Sequence, residues 1–199
     1  MPRKSTQRMA SVDRRELLLI AAAKQFAERG YRGADLSAIA AAAGVTKVIV
    51  YRAFGSKQAL YETLLERHRD ELLQTLIFSQ ELDGASQADR IRTGLDAWFS
   101  YVEGHPFAWR LLFQDSTGLP TLEERHRAMR AQARAVLAAL LTEQMGVDAE
   151  AAPPSAEFLR AAIVGIAMWW LEHPDTNREE VVMTAHRLAV GAISAVSST

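Results

Sequence analysis

Six residues between positions 46 and 57 have the chemistry of an anion-binding surface. Lys47, Arg52 and Lys57 supply positive charge, Thr46 and Tyr51 supply hydroxyls, and Val48 adds a branched apolar side chain. Cations and hydroxyls of this kind bond phosphate oxygens, and an apolar side chain in a major groove can meet a thymine methyl. Lys57 follows Ser56, which reads as the cap of a long helix. A helix N-terminus attracts anions through its free N–H groups, so a lysine beside it makes a phosphate site. A solvated surface lysine is the plainer reading of the same residue. Catalytic patterns are absent: there is no Gly-rich phosphate loop, nucleophile elbow or zinc helix motif. His68, His105, His126, His173 and His186 lack metal-ligand spacing, and Asp175 near His173 reads as a cap or surface residue. No enzyme activity, metal or cofactor is expected.

The elements that must position these side chains are short. Leu36, Ile39, Ala40 and Ala43 recur at helical spacing and give one apolar face. Gly44 suits the positive φ of a turn past a helix end, and Thr46 offers a hydroxyl to cap the next helix. That second helix sets Val48, Val50 and Phe54 among Lys47, Tyr51 and Arg52. Residues 35–54 therefore predict a helix-turn-helix, whose second helix enters a DNA major groove. An ordinary helical hairpin satisfies the same spacing.

Residues 14–60 resemble the DNA-binding domain of the TetR (tetracycline-repressor-like) family. The matching pieces are Phe26-Ala27-Glu28-Arg29-Gly30-Tyr31, Ile39-Ala40, Ala43-Gly44-Val45-Thr46-Lys47 and the run Tyr51 to Leu60, with its Tyr-x-x-Phe-x-x-Lys pattern. The resemblance implies a dimeric, ligand-responsive regulator, a repressor released from a palindromic operator by a small hydrophobic or amphipathic effector. It implies that Thr46, Lys47, Val48 and Arg52 face the groove while Tyr51 and Lys57 grip phosphates. Two positions depart from the family pattern. Asp35 stands where Thr or Ser is common; it caps a helix equally well but repels a phosphate. Val48 stands where Gly or Ala is common, which puts the recognised base sequence in doubt.

Charge is divided along the chain. Residues 1–57 carry 11 Lys/Arg against 4 Asp/Glu, and residues 58–199 carry 12 against 20, for a net charge of −1. A basic front and an acidic back suggest that only the front meets a polyanion. The chain has no cysteine, which excludes disulfides and thiolate chemistry and is compatible with a cytoplasmic setting. Arg14-Arg15 before Leu17–Ala23 mimics an export signal, but Glu16 and Lys24 interrupt it and no cleavage site follows. No apolar run approaches the roughly 20 residues needed to span a bilayer.

The expected fold is all-α with about nine helices. A helix-turn-helix domain (12–57) precedes a helical effector-binding and dimerisation domain (58–199). Met1–Val12 reads as a basic arm, and Asp13 as the start of the first helix with Glu16 in a capping-box variant. Leu18, Ala22 and Phe26 form that helix's buried stripe, and Gly30 stops it. The fourth helix runs to about Gln80, the fifth over Ala88–Glu103, the sixth over Phe107–Phe113 and the seventh over Thr121–Met145. The seventh should turn Leu122, Met129, Ala133, Val136, Leu137, Leu140 and Leu141 inward. Gly146–Pro154 reads as a loop, and Ser155–Glu172 as an eighth helix apolar nearly all round, which must be buried on more than one side. The ninth follows a cap at Thr176 or Asn177.

These last two helices predict a two-fold interface through Phe158, Ala162, Gly165, Trp169, Val181, Ala185, Leu188 and Ala192; a buried monomer core is the alternative. Aromatic density around Trp98, Tyr101, Phe107 and Phe113, with Met129 and Trp169, suggests an effector pocket, although aromatics at helical spacing also build ordinary cores. Two further readings stand beside the ligand-responsive one: control by a protein partner, and a ligand-binding or scaffolding protein that no longer binds DNA.

Overall fold

The computed structural model describes residues 3–78, 84, 86–113 and 117–197. Among them are nine α-helices and no strand: α1 (Arg3–Gly33), α2 (Leu36–Ala42), α3 (Lys47–Phe54), α4 (Lys57–Phe78), α5 (Gln87–Gly104), α6 (Pro106–Phe113), α7 (Pro120–Met145), α8 (Ala152–Glu172) and α9 (Arg178–Ser197). The all-α expectation holds. No single described helix is long and apolar enough to cross a membrane.

The first helix differs from its sequence reading. It begins at Arg3, so Asp13 lies inside it rather than capping it, and Glu16 reaches Arg67 at 2.5 Å instead of closing a capping box. The side chains of residues 1–13, including the arm's Arg3, Lys4 and Arg8, lie outside the described residues, as do Gln80 and most of the loop after it. At Gly30 (φ 66°, ψ 172°) the helix breaks as expected, and Tyr31–Gly33 form one further turn beyond it.

Contact density groups the chain into two compact units. The first comprises Met1–Asp70 and Phe107–Glu123, the second Glu71–Pro106 and Glu124–Thr199. In the first unit the stripe Leu18, Ala22 and Phe26 is buried, together with Ile39, Val50, Leu60 and Tyr61. Phe26, Tyr31 and Tyr61 form an aromatic cluster with ring centroids 5.0–6.0 Å apart, two of the three pairs edge-on. In the second unit α5 packs on α9 and α9 on α8. Arg178 at the start of α9 bridges Asp96 (3.3 Å) and Glu103 (3.4 Å) of α5.

Two helices of the second unit also depart from expectation. On α7, Leu141 is buried, but Ala133 and Val136 face solvent and Met129, Leu137 and Leu140 are only partly covered. The α8 helix starts at Ala152, because Pro153 falls in its first turn, where a missing N–H costs nothing.

Candidate nucleic-acid interface

The chain bends by 103° between α2 and α3, within the range of helix-turn-helix units. Asp35 caps α2 by accepting the Ser37 N–H at 2.9 Å. At the turn, Gly44 takes φ 66°, and the Gly44 and Val45 N–H groups close onto Ala41 and Ala40. Thr46 occupies the N-cap position of α3, but its hydroxyl makes no capping bond, a correction to the expected role. The Thr46 hydroxyl is therefore uncommitted to the helix, on an exposed residue.

On α3 the division of faces is sharp. Val50 and Phe54 are buried, whereas Lys47, Val48, Tyr51 and Arg52 are exposed, Val48 at 58%. The i, i+1, i+4, i+5 spacing of those four puts them on one side. Lys47 Nζ lies 6.0 Å from the centre of the Tyr51 ring. A valine exposed to this extent among cations suits a groove lined with thymine methyls.

Lys57 is placed differently from a free surface lysine. It is partly buried, its ammonium donates to the Arg32 carbonyl at 3.2 Å, and it sits 5.0 Å from the Tyr31 ring centre. Partial burial lowers its pKa, and the Asp35 carboxylate opposes that shift. Ser56 caps α4 as expected, accepting the Ala59 N–H at 3.0 Å. The Asp35 pKa is lowered chiefly by the Ser37 N–H, with Lys47 adding to it. Asp35 thus remains an anion among the cations Lys47 and Lys57.

Two residues of this region carry no signal in the local sequence. Arg15 Nη1 donates to the Ala53 carbonyl at 3.2 Å, and its guanidinium lies 4.4 Å from the Phe54 ring centre. It therefore closes the C-terminal end of α3, where a cation complements the helix dipole. Arg32 donates to the Gly118 carbonyl at 2.9 Å. Their partners lie 38 and 86 residues away along the chain, beyond the reach of any helical periodicity.

In the second unit α8 exposes a continuous stripe: Phe158 is 62% and Trp169 47% exposed, flanked on α9 by Leu188 at 59%. Two open grooves of about 430 and 580 Å³ run along this face. Phe158 and Ala192 line the first; Ala162, Gly165, Trp169 and Leu188 line the second. A Cβ at Gly165 would meet nothing within 4 Å. Two expected interface residues offer little surface. Val181 is the buried floor of the second groove, and Ala185 lies inside the protomer, at 3% and 2% exposure. The α8 helix is therefore not buried on more than one side within the chain itself.

The expected pocket residues divide between the two units. Phe107 is exposed and Phe113 partly buried in the first unit; in the second, Trp98 and Met129 are partly buried and Tyr101 is buried with its ring stacked 4.4 Å from His105. Neither groove includes any of these five. Trp169 faces outward, stacked 4.3 Å from His173, so its place is on the exposed α8 face rather than in an interior pocket. Among the described residues no group of three or more acidic, histidine or cysteine side chains could hold a metal.

The family described as "Bacterial regulatory proteins, tetR family" matches residues 18–64. The HTH-type transcriptional activator FasR of Mycolicibacterium smegmatis is 30% identical over 195 residues, covering 96% of this chain and 88% of that protein. An HTH-type transcriptional repressor of Streptomyces coelicolor is 32% identical over 161 residues, covering 79% and 78%. Among solved structures, a TetR-like transcriptional regulator from Rhodococcus sp. RHA1 superposes with a TM-score of 0.77 at 21% identity, over 91% of this chain and 96% of that one. A tetR-family regulator from Streptomyces coelicolor gives 0.72 at 22% identity, over 94% and 82%.

Proposed function

This chain belongs to the tetR family of bacterial regulatory proteins and is a DNA-binding transcriptional regulator, and from that premise we propose that it acts as a cytoplasmic homodimeric repressor released from a palindromic operator by a small apolar or amphipathic effector. The observation that carries the DNA-contact reading is the exposed side of α3, with Lys47, Val48, Tyr51 and Arg52 together and Val50 and Phe54 anchoring its back. Thr46, Lys47, Val48 and Arg52 meet base edges and groove walls; Tyr51 and Lys57 hold phosphates and fix register. The functional division at residues 57 and 58 follows from this reading.

The exposed α8 stripe supports the homodimer. Large apolar side chains 47–62% exposed, Phe158 and Trp169 on α8 beside Leu188 on α9, make a patch that is unusual on a monomer. A partner copy across this face supplies the second recognition helix that reading two half-sites, about 34–36 Å apart along DNA, requires. The effector acts through α4, whose first turn carries Lys57 and whose last turns belong to the second compact unit. Trp98, Tyr101, Phe107, Phe113 and Met129 are the candidates for effector contact. An effector that favours the DNA-incompetent state with a coupling of about 1–3 kcal/mol weakens operator binding 5–150-fold.

Repression is favoured by the name of the Streptomyces coelicolor relative, activation by that of the mycobacterial one. Selection of bound duplexes from a random pool tests the core of the proposal: it should return an inverted repeat with half-sites about 10 base pairs apart or a multiple of that. Recovery of no enriched sequence would refute it. Transcription in vitro from a promoter carrying the recovered site then decides the sign.

A further inference from the structure

Arg32 lies outside the exposed side of α3, yet contacts from two elements, the 117–119 loop and the start of α4, converge on it. The break at Gly30 leaves Tyr31–Gly33 as a single turn that the continuity of α1 does not hold. Its position depends on what grips it. Tyr31 packs in the aromatic cluster, and Arg32 Nη2 donates to the Gly118 carbonyl at 2.9 Å. At Gly118 the backbone is left-handed (φ +64°), and a Cβ there would stand 2.4 Å from Arg32 Nη2 and 2.6 Å from Nε. The guanidinium thus lies directly against bare backbone; a Cβ at 118 would push it aside and strain the left-handed backbone.

The loop that presents Gly118 is firmly built. Thr117 is fully buried, and its hydroxyl and the Gly118 N–H both donate to Glu123 Oε1, at 3.1 and 3.0 Å. Gln58 in the first turn of α4 donates to Thr121 at 3.4 Å. Meanwhile the backbone carbonyl of Arg32 accepts from the Lys57 ammonium at 3.2 Å. An ammonium has three donors, so this bond leaves two for a phosphate.

We propose that Arg32 is a positioning residue of the DNA site: clasped to Gly118, it holds its own carbonyl where that carbonyl aims the Lys57 ammonium at a phosphate, so the 117–119 loop governs how strongly Lys57 grips DNA. The inference rests on the reading of Lys57 as a phosphate contact. The clasp pre-organises a flexible four-carbon side chain, which otherwise loses rotamer freedom on binding. It also gives the α6–α7 loop a route to the DNA face through the end of α1.

The test measures affinity against salt concentration for the duplex recovered by selection. The proteins compared are wild type, Lys57→Ala, Arg32→Gln, Gly118→Ala, and each of the last two combined with Lys57→Ala. Gly118→Ala keeps every charge, so a changed salt slope in it reports position alone. Arg32→Gln and Gly118→Ala should each weaken binding about 5-fold or more. Each should also reduce the slope of log affinity by up to about 0.9, towards that of Lys57→Ala, and add nothing in the Lys57→Ala background. Thermal unfolding identifies a misfolded variant, and Arg32→Gln, which strains no backbone, carries the test if Gly118→Ala does not fold. Wild-type binding by a folded Gly118→Ala overturns the clasp while leaving Lys57 in its role. So do equal losses from Arg32→Gln with and without Lys57, the mark of a direct Arg32–phosphate contact. An unchanged slope in Lys57→Ala overturns the Lys57 reading and the clasp's purpose with it.

Discussion

On the proposed DNA face, Lys57 and Asp35 work against each other. Replacing Asp35 with Ser keeps a capping oxygen for the Ser37 N–H and removes an anion beside Lys47 and Lys57. Asp35→Ser should therefore bind operator more tightly, with the gain largest at low ionic strength and shrinking as salt rises; equal affinity at all salt concentrations would contradict it. Glu16 offers a pH test. Its pKa is lowered, first by the Arg67 hydrogen bond, so folding favours the ionised carboxylate. That stabilisation is present above the ordinary value of 4.5 and is lost as pH falls through the lower folded value. Glu16→Gln should lower stability at neutral pH and flatten the acid limb of the stability curve, read by urea unfolding across that range. Caps such as Asp35 and Ser56 were legible because their partners lie two or three residues away. The capping box proposed for Glu16 was not, since its true partner is 51 residues along the chain.

At the scale of elements, the tilt of α3 depends on its C-terminal end as well as on its buried side. Arg15→Ala removes the bond to the Ala53 carbonyl and the contact with Phe54. An exposed cation–π contact and a terminal hydrogen bond together are worth about 1 kcal/mol. The variant should lose about that much stability in urea and weaken operator binding with an unchanged salt slope, because Arg15 positions α3 rather than touching phosphate. A reduced slope would make it a DNA contact. The helix-turn-helix was readable from Leu36 to Phe54 because apolar spacing, Gly44 and the following cap coincide within 19 residues. The start of α8 was not, since Pro153 and Pro154 mark loops as readily as first helical turns. Exposure of Ala133 and Val136 on α7 was equally hidden, because periodicity finds an apolar face without saying what covers it.

For the whole molecule, the proposed homodimer rests on the α8 face. Phe158 is 62% exposed, so Phe158→Glu leaves the protomer core intact. It should shift the protein to monomer in sedimentation experiments and reduce operator affinity about 100-fold or more, as the second half-site is lost; a dimer that persists would place the interface elsewhere. The nine helices among the described residues were countable from Gly, Pro and cap signals, but the grouping of α6 with residues 1–70 was not, because nothing local in Phe107–Phe113 names its neighbours. That grouping has a consequence for synthesis. The first compact unit includes residues 107–123, so it is incomplete when its first 70 residues emerge from the ribosome. At about 5–20 residues per second the gap is roughly 3–10 seconds. During that interval the Arg32–Gly118 and Gln58–Thr121 bonds cannot form, and a fragment cut after α4 would lack both permanently.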